Sequence, residues 1–174
     1  ATFHELRTRF TTGLDPITFN ATISACEKGR QWRLALCFLD LMPDHAVAPT
    51  TTTFNALTTA CASRAEWQRC VQLLEEMRRR DLELNVLSHN ASIHSAAQAQ
   101  RWPQALEGFA VMRALRLHTD EVTFSVVIGA CRHSQAWPQA LAVVEDIRRA
   151  QLDLGSAGLT EALHAFHEAS QWER

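Results

Sequence analysis

The sequence predicts an all-α chain of tandem repeats, each a helix–turn–helix of 35 residues, stacked into an α-solenoid. Three observations predict it. Trp32, Trp67, Trp102, Trp137 and Trp172 follow one another at intervals of 35 residues. Four further columns keep that phase without an insertion: Thr18, Thr53, Ser88 and Thr123; Asn20, Asn55, Asn90 and Ser125; Ala35, Cys70, Ala105 and Ala140; and Met42, Met77, Met112 and Ile147. Apolar residues recur at three-residue steps, as on one face of a helix, and no strand pattern survives.

The units are 16–50, 51–85, 86–120 and 121–155; residues 1–15 read as the second helix of a preceding repeat, and 156–174 as the first helix of a truncated one. The Thr/Ser column is expected to cap the first helices, because such side chains accept hydrogen bonds from the unpaired amides of a first turn. Each first helix then runs to about Glu27, Ala62, Ala97 and Arg132, with Gly29 marking the turn in the first unit. The second helix begins just after each Trp. Pro103 and Pro138 stand there, where a missing amide does no harm. Its apolar stripe is Leu36, Leu39 and Met42 in the first unit and Leu106, Phe109 and Met112 in the third. The small residues at Ala35, Cys70, Ala105 and Ala140 let the paired helix approach closely. The tryptophans are expected to fill the core at the turn between the helices. One hairpin cannot cover its own apolar face, so neighbouring hairpins must stack.

Of the 174 residues, 47% are hydrophobic and 21% charged, a globular mix with no stretch approaching a membrane span. The formal net charge of −2 gives no bulk attraction to a polyanion, so any nucleic-acid site must be local. Five cysteines form no C-x-x-C pair, and Cys26, Cys61 and Cys131 share a repeat column. That placement fits small buried packing residues better than a disulfide frame. The eight histidines complete no ligand set, so no metal is expected. No Gly-rich phosphate loop, nucleophile elbow or acid–base pair occurs, which predicts neither a cofactor nor catalysis. Arg78, Arg79 and Arg80, like Arg148 and Arg149, read as solvated runs complementing helix C-termini.

The columns resemble the pentatricopeptide repeat (PPR). Thr18-Phe19-Asn20, Thr53-Phe54-Asn55 and Val122-Thr123-Phe124-Ser125 are similar to the start of that repeat. Ile23-Ser24-Ala25-Cys26-Glu27-Lys28-Gly29 and the pairs Ala35-Leu36, Ala105-Leu106 and Ala140-Leu141 are similar to its middle. Leu73-Leu74-Glu75-Glu76-Met77 is similar to its second helix. The unit length separates it from the related 34-residue tetratricopeptide repeat.

The resemblance implies a right-handed solenoid whose first helices line the concave side. It also implies sequence-selective binding of single-stranded RNA, one base per repeat, in organellar RNA processing, stability, editing or translation. The location it implies is the mitochondrion or chloroplast. Carried over by position, the base readers are Asn20 with Thr50, Asn55 with Asn85, Asn90 with Asp120, and Ser125 with Gly155. The base wedges are Ile17, Thr52, Leu87 and Val122, and Lys28 faces phosphate. Ser63, Gln98 and His133 occupy the places equivalent to Lys28.

An early-helix Asn offers both a donor and an acceptor to a base edge, and Asp or Asn at the unit boundary can orient it by hydrogen bonding. By the same resemblance Asn with Asp favours U and Asn with Asn favours C, so the site leans to pyrimidines, read 5′ to 3′ from the N-terminal unit. The alternative is a protein-interaction scaffold within a ribonucleoprotein assembly, which the near-neutral charge and single lysine favour.

Overall fold

The computed structural model describes residues 15–117, 119–133 and 136–149, with positions 156, 158–160, 162–164 and 167. The side chain of Trp137, residues 1–14, Gly155 and Trp172 lie outside the described residues, and so do the expectations resting on them. Among the described residues the chain forms α-helices and one 3-10 turn, with no strand. The helices are α1 (Pro16–Lys28), α2 (Trp32–Leu41), α3 (Thr51–Ala62), α4 (Trp67–Arg79), α5 (Val86–Gln98), α6 (Trp102–Ala114), α7 (Glu121–His133) and α8 (Trp137–Arg149). None of them is long and apolar enough to cross a membrane.

The start of each first helix corrects the sequence expectation. The Thr/Ser column is not the cap. Asp15, Thr50 and Asn85 hold the N-cap positions, and their side chains accept from the amides of Thr18, Thr53 and Ser88. Asp120 likewise accepts from the Thr123 amide at 2.8 Å. The hydroxyl column therefore sits three residues into the helix. At Thr50–Thr53 and Asn85–Ser88 it returns a bond to the cap's own amide, the reciprocal arrangement of a capping box.

The helix ends repeat as closely as the starts. Gln31, Glu66, Arg101 and Ala136 donate their amides back to Cys26, Cys61, Ala96 and Cys131. The second helices end in the same way, with Val47, Leu82 and Leu117 donating to Met42, Met77 and Met112. This six-to-one closure requires a left-handed residue just before the donor. Arg30, Ala65 and Gln100 supply it in one column and Ala46, Asp81 and Arg116 in another, all with φ of 54° to 58°. Gly29, expected to mark the first turn, is not the left-handed residue; its φ is −79°. Pro43 shortens α2, since a ring in place of an amide ends the helix at Leu41, and a 3-10 turn over Pro43–His45 carries the chain on.

First helices stack on first helices, α1 on α3, α3 on α5 and α5 on α7. Each of α2, α4 and α6 packs against its own first helix and the next one. The columns explain the fit. Ala35, Cys70, Ala105 and Ala140 are fully buried, and so are Met42, Met77 and Met112, with Ile147 at 1% exposure. Phe19, Phe54 and Phe124 fill one column of the first helices, and each contributes about 1.5–3 kcal/mol by leaving water. His89 holds the same place in the third unit. Where α6 meets α5, a Cβ on Gly108 would stand 2.9 Å from Ile93 Cγ1, so any larger residue would require Ile93 to shift.

The tryptophans fill the core only in part. Trp32, Trp67 and Trp102 are half-buried, with one side against the apolar clusters. The Arg33 guanidinium lies 5.2 Å over the Trp32 ring, and Arg101, from the following unit, 5.9 Å over Trp67. All five cysteines are free, and Cys26, Cys61, Cys70 and Cys131 are buried. Burial pushes the thiols of Cys61 up to about 12 and of Cys70 and Cys131 up to about 11.

Candidate functional site

Of the candidate readers, Asn90 borders a groove along the stacked first helices. Across the second, third and fourth units this groove of about 460 Å³ is lined by Thr59, Ser63, Leu87, Asn90, Gln98 and Val122, with Arg30 reaching in from the first unit. The wedge candidates stand at the second residue of their helices with their side chains in solvent: Ile17 is 76%, Leu87 55% and Val122 63% exposed, and Thr52 is exposed too. Isolated exposed aliphatics are ordinary, but here they recur at one position in three of the four units, with Thr52 in the second. Leu87, Asn90 and Val122 border a single groove, so a flat ring beside the Asn90 amide would meet an aliphatic side chain from each of two units.

Asn20, Asn55 and Asn90 are half-buried. Asn20 Oδ1 accepts from Thr53 Oγ1 at 2.6 Å, and Asn90 Oδ1 stands 2.9 Å from Thr123 Oγ1. The boundary residues take part through the same hydroxyls. Thr53 Oγ1 accepts from the Thr50 amide at 3.1 Å, and Thr123 Oγ1 lies 2.7 Å from Asp120 Oδ1. At these two junctions the candidate reader and the boundary residue thus both bond a third side chain, which the sequence reading assigned to capping alone. At the middle junction Ser88 Oγ turns to Asn85 Oδ1 at 2.9 Å, and Asn55 Oδ1 is buried without a partner. Ser125 bonds its own helix, donating to the Val122 carbonyl at 2.9 Å, and its partner Gly155 lies outside the described residues.

Lys28 is the exposed last residue of α1. Ser63 and Gln98, one and two units on, border the groove, which places that column beside any backbone lying there. Arg30 was missed by the sequence reading. It lines the groove from a left-handed turn position, and no column foreshadows this, since Ala65 and Gln100 follow it. Arg30, Arg33 and Arg64 also surround a second hollow of about 410 Å³ at the edge of the hairpin turns. Those arginines were legible singly, but their convergence needed the fold. The arginine runs stay in solvent: Arg79 and Arg80 pair with Glu76, and Arg148 and Arg149 with Glu145.

The sequence profile of the family described as pentatricopeptide repeat-containing protein matches residues 4–112. No curated protein matches the chain. Among solved structures, the pentatricopeptide repeat protein PPR10 from maize is similar at a TM-score of 0.83 and 19% identity. The match covers 98% of this chain and 24% of that one, so the chain spans about a quarter of the maize protein's length. PPR10 in complex with an 18-nt psaJ RNA element is similar at 0.76 and 18% identity, over 98% of this chain and 26% of that one. The PPR domain of protein-only RNase P 1 of Arabidopsis thaliana, in complex with tRNA, is similar at 0.73 and 10% identity, over 98% and 86%. At these identities the likeness shows the fold, a right-handed α-solenoid of helix–turn–helix repeats.

Proposed function

The chain belongs to the pentatricopeptide repeat family, and from that premise we propose that it binds single-stranded RNA along its first helices, one base per repeat. Asn20, Asn55 and Asn90 read pyrimidine edges. Thr50, Asn85 and Asp120 are their partners, and Ile17, Thr52, Leu87 and Val122 are the wedges. Ser125 and Gly155 would serve the fourth unit. Lys28, joined by Arg30, meets phosphate. The action is recognition without catalysis, in organellar RNA processing, stability, editing or translation in a mitochondrion or chloroplast.

The observation that carries this is the shared groove of Leu87, Asn90 and Val122, where a half-buried amide lies between two exposed aliphatic side chains. Maize PPR10 and the Arabidopsis PPR domain, both solved with RNA, add the analogy. With few cations at the groove, affinity should be about micromolar or weaker and fall only gently with salt.

The test is binding of the chain to single-stranded pyrimidine RNA against purine RNA by fluorescence anisotropy, with Asn90→Ala alongside. The chain should prefer pyrimidines, and the substitution should reduce that preference about three- to ten-fold, the worth of one net hydrogen bond. Equal affinity for both RNAs, or no effect of the substitution, would defeat base reading. Absence of any RNA binding would turn attention to the protein-interaction scaffold.

A further inference from the structure

The hydroxyl at the third residue of a first helix has one proton to give and stands between two groups that compete for it. At the first junction the contest is settled simply. Thr53 Oγ1 accepts from the Thr50 amide at 3.1 Å, leaving its proton for Asn20 Oδ1 at 2.6 Å. The Asn20 amide is then held by its oxygen, and its NH2 is the end left for a base. At the third junction Thr123 Oγ1 lies 2.7 Å from the Asp120 carboxylate and 2.9 Å from Asn90 Oδ1. One proton cannot serve both oxygens. The carboxylate takes it, because a charge-assisted bond is about twice as strong as a neutral one. The hydroxyl then offers Asn90 only lone pairs, which only the NH2 end of the amide can meet. The Asn90 amide must turn over for this, from the placement in which Oδ1 faces Thr123, and so turned it shows Oδ1 to the groove.

We propose that Thr53 and Thr123 are positioning residues that set base specificity, each relaying the charge state of the helix cap to the reader amide of the preceding unit. A carboxylate cap makes the reader an acceptor, suited to the N3–H of uracil. An uncharged cap makes it a donor, suited to the bare N3 of cytosine. The relay rests on the base reading proposed above. It adds the hydroxyl as the physical carrier between reader and partner. It also marks a gap: Ser88 is turned to Asn85, Asn55 Oδ1 has no partner, and the second unit should separate the two pyrimidines least.

Two measurements test it. The first needs no RNA. Nuclear Overhauser contacts from the Asn90 side-chain amide protons to Thr123 should be strong in the unaltered chain and weaken in Asp120→Asn, as the amide turns. Contacts indifferent to that substitution overturn the relay. The second compares RNA carrying C-C-U with RNA carrying C-C-C at the three Asn units. The unaltered chain should prefer C-C-U by about five- to ten-fold. Thr123→Val, with Asp120 intact, should bring the ratio near one, and Thr123→Ser should keep it, with thermal melting confirming that both variants fold. A ratio unchanged in Thr123→Val overturns the relay while base reading stands. A chain that prefers neither RNA overturns base reading and the specificity role together, and the amide contacts tell the two failures apart.

Discussion

His89 stands where Phe19, Phe54 and Phe124 stand in the other units, and it is 4% exposed. Its Nε2 is buried with no hydrogen-bond partner. An unpaired polar atom in such a place costs about 1–3 kcal/mol. Burial also disfavours the charged ring, so the folded chain holds a proton on His89 less tightly than the ordinary 6.5. The sign follows from linkage. Above 6.5 neither state is protonated there and the stability is complete. As pH falls below 6.5 the unfolded chain binds a proton that the folded chain declines, and stability drops until the lower folded value is passed. His89→Phe should therefore raise stability by about 1–3 kcal/mol at neutral pH. It should also remove an acid-side slope of at most about 1.4 kcal/mol per pH unit. Urea denaturation of both chains across that window decides it. A variant no more stable, or one keeping the same slope, would show that His89 is satisfied in a way the structure does not display. Register puts His89 in the place of the buried Phe side chains, but whether its ring nitrogens find partners depends on neighbours from other helices.

The helices were legible because each column repeats in register, and their ends were not. Asp15, Thr50, Asn85 and Asp120 and the Thr/Ser column both consist of good capping residues, three apart, and both bond the first turn. Sequence chemistry cannot tell the two halves of such a reciprocal pair apart; only backbone geometry does. The same blindness hid the turns. Gly29 drew attention, yet Arg30, Ala65 and Gln100 take the left-handed conformation. For a residue with a Cβ that conformation costs roughly 1–2 kcal/mol, of which glycine's freer unfolded chain would return about half. Gln100, exposed and held only by its backbone bond to Ala97, is the clean place to measure it. Gln100→Gly should stabilise the chain by up to about 1 kcal/mol, read as a higher urea midpoint with an unchanged slope. A lower midpoint would mean that the left-handed column carries no strain. The candidate site divides in the same way. The Asn readers and the wedges could be placed from register. The hydroxyl between Asn90 and Asp120 and the place of Arg30 at the groove depend on contacts across units, which no single unit encodes.

Over the whole array the apolar interior falls into two clusters. One runs from Phe19 to Met77 and the other from Ile93 to Ile147. Between them α5 buries Ser88, His89, Ser92 and Ser95, while the equivalent positions of α3 bury Thr53, Phe54, Leu57 and Ala60. A stacked array has a stability close to the sum of its units and their nearest-neighbour interfaces, so a polar interface is the first to open. The weak seam lies between the second and third units and coincides with the groove of Asn90. A bound strand crossing that seam would be gripped by both halves and would hold it shut. Arg78, Arg79 and Arg80 lie exposed at the end of α4, immediately before the segment that crosses the seam. Brief trypsin treatment of the folded chain should therefore cut among these arginines before Arg30, Arg64 or Arg101, although all of them are exposed. His89→Phe, by making the interior of α5 apolar at one place, should slow that cut and leave the others as they were. Fragments sized by mass spectrometry would give the order of cleavage. First cuts at Arg30 or Arg64, or a rate at Arg78–Arg80 untouched by His89→Phe, would show that the array opens elsewhere and that α5 is no weaker a joint than its neighbours.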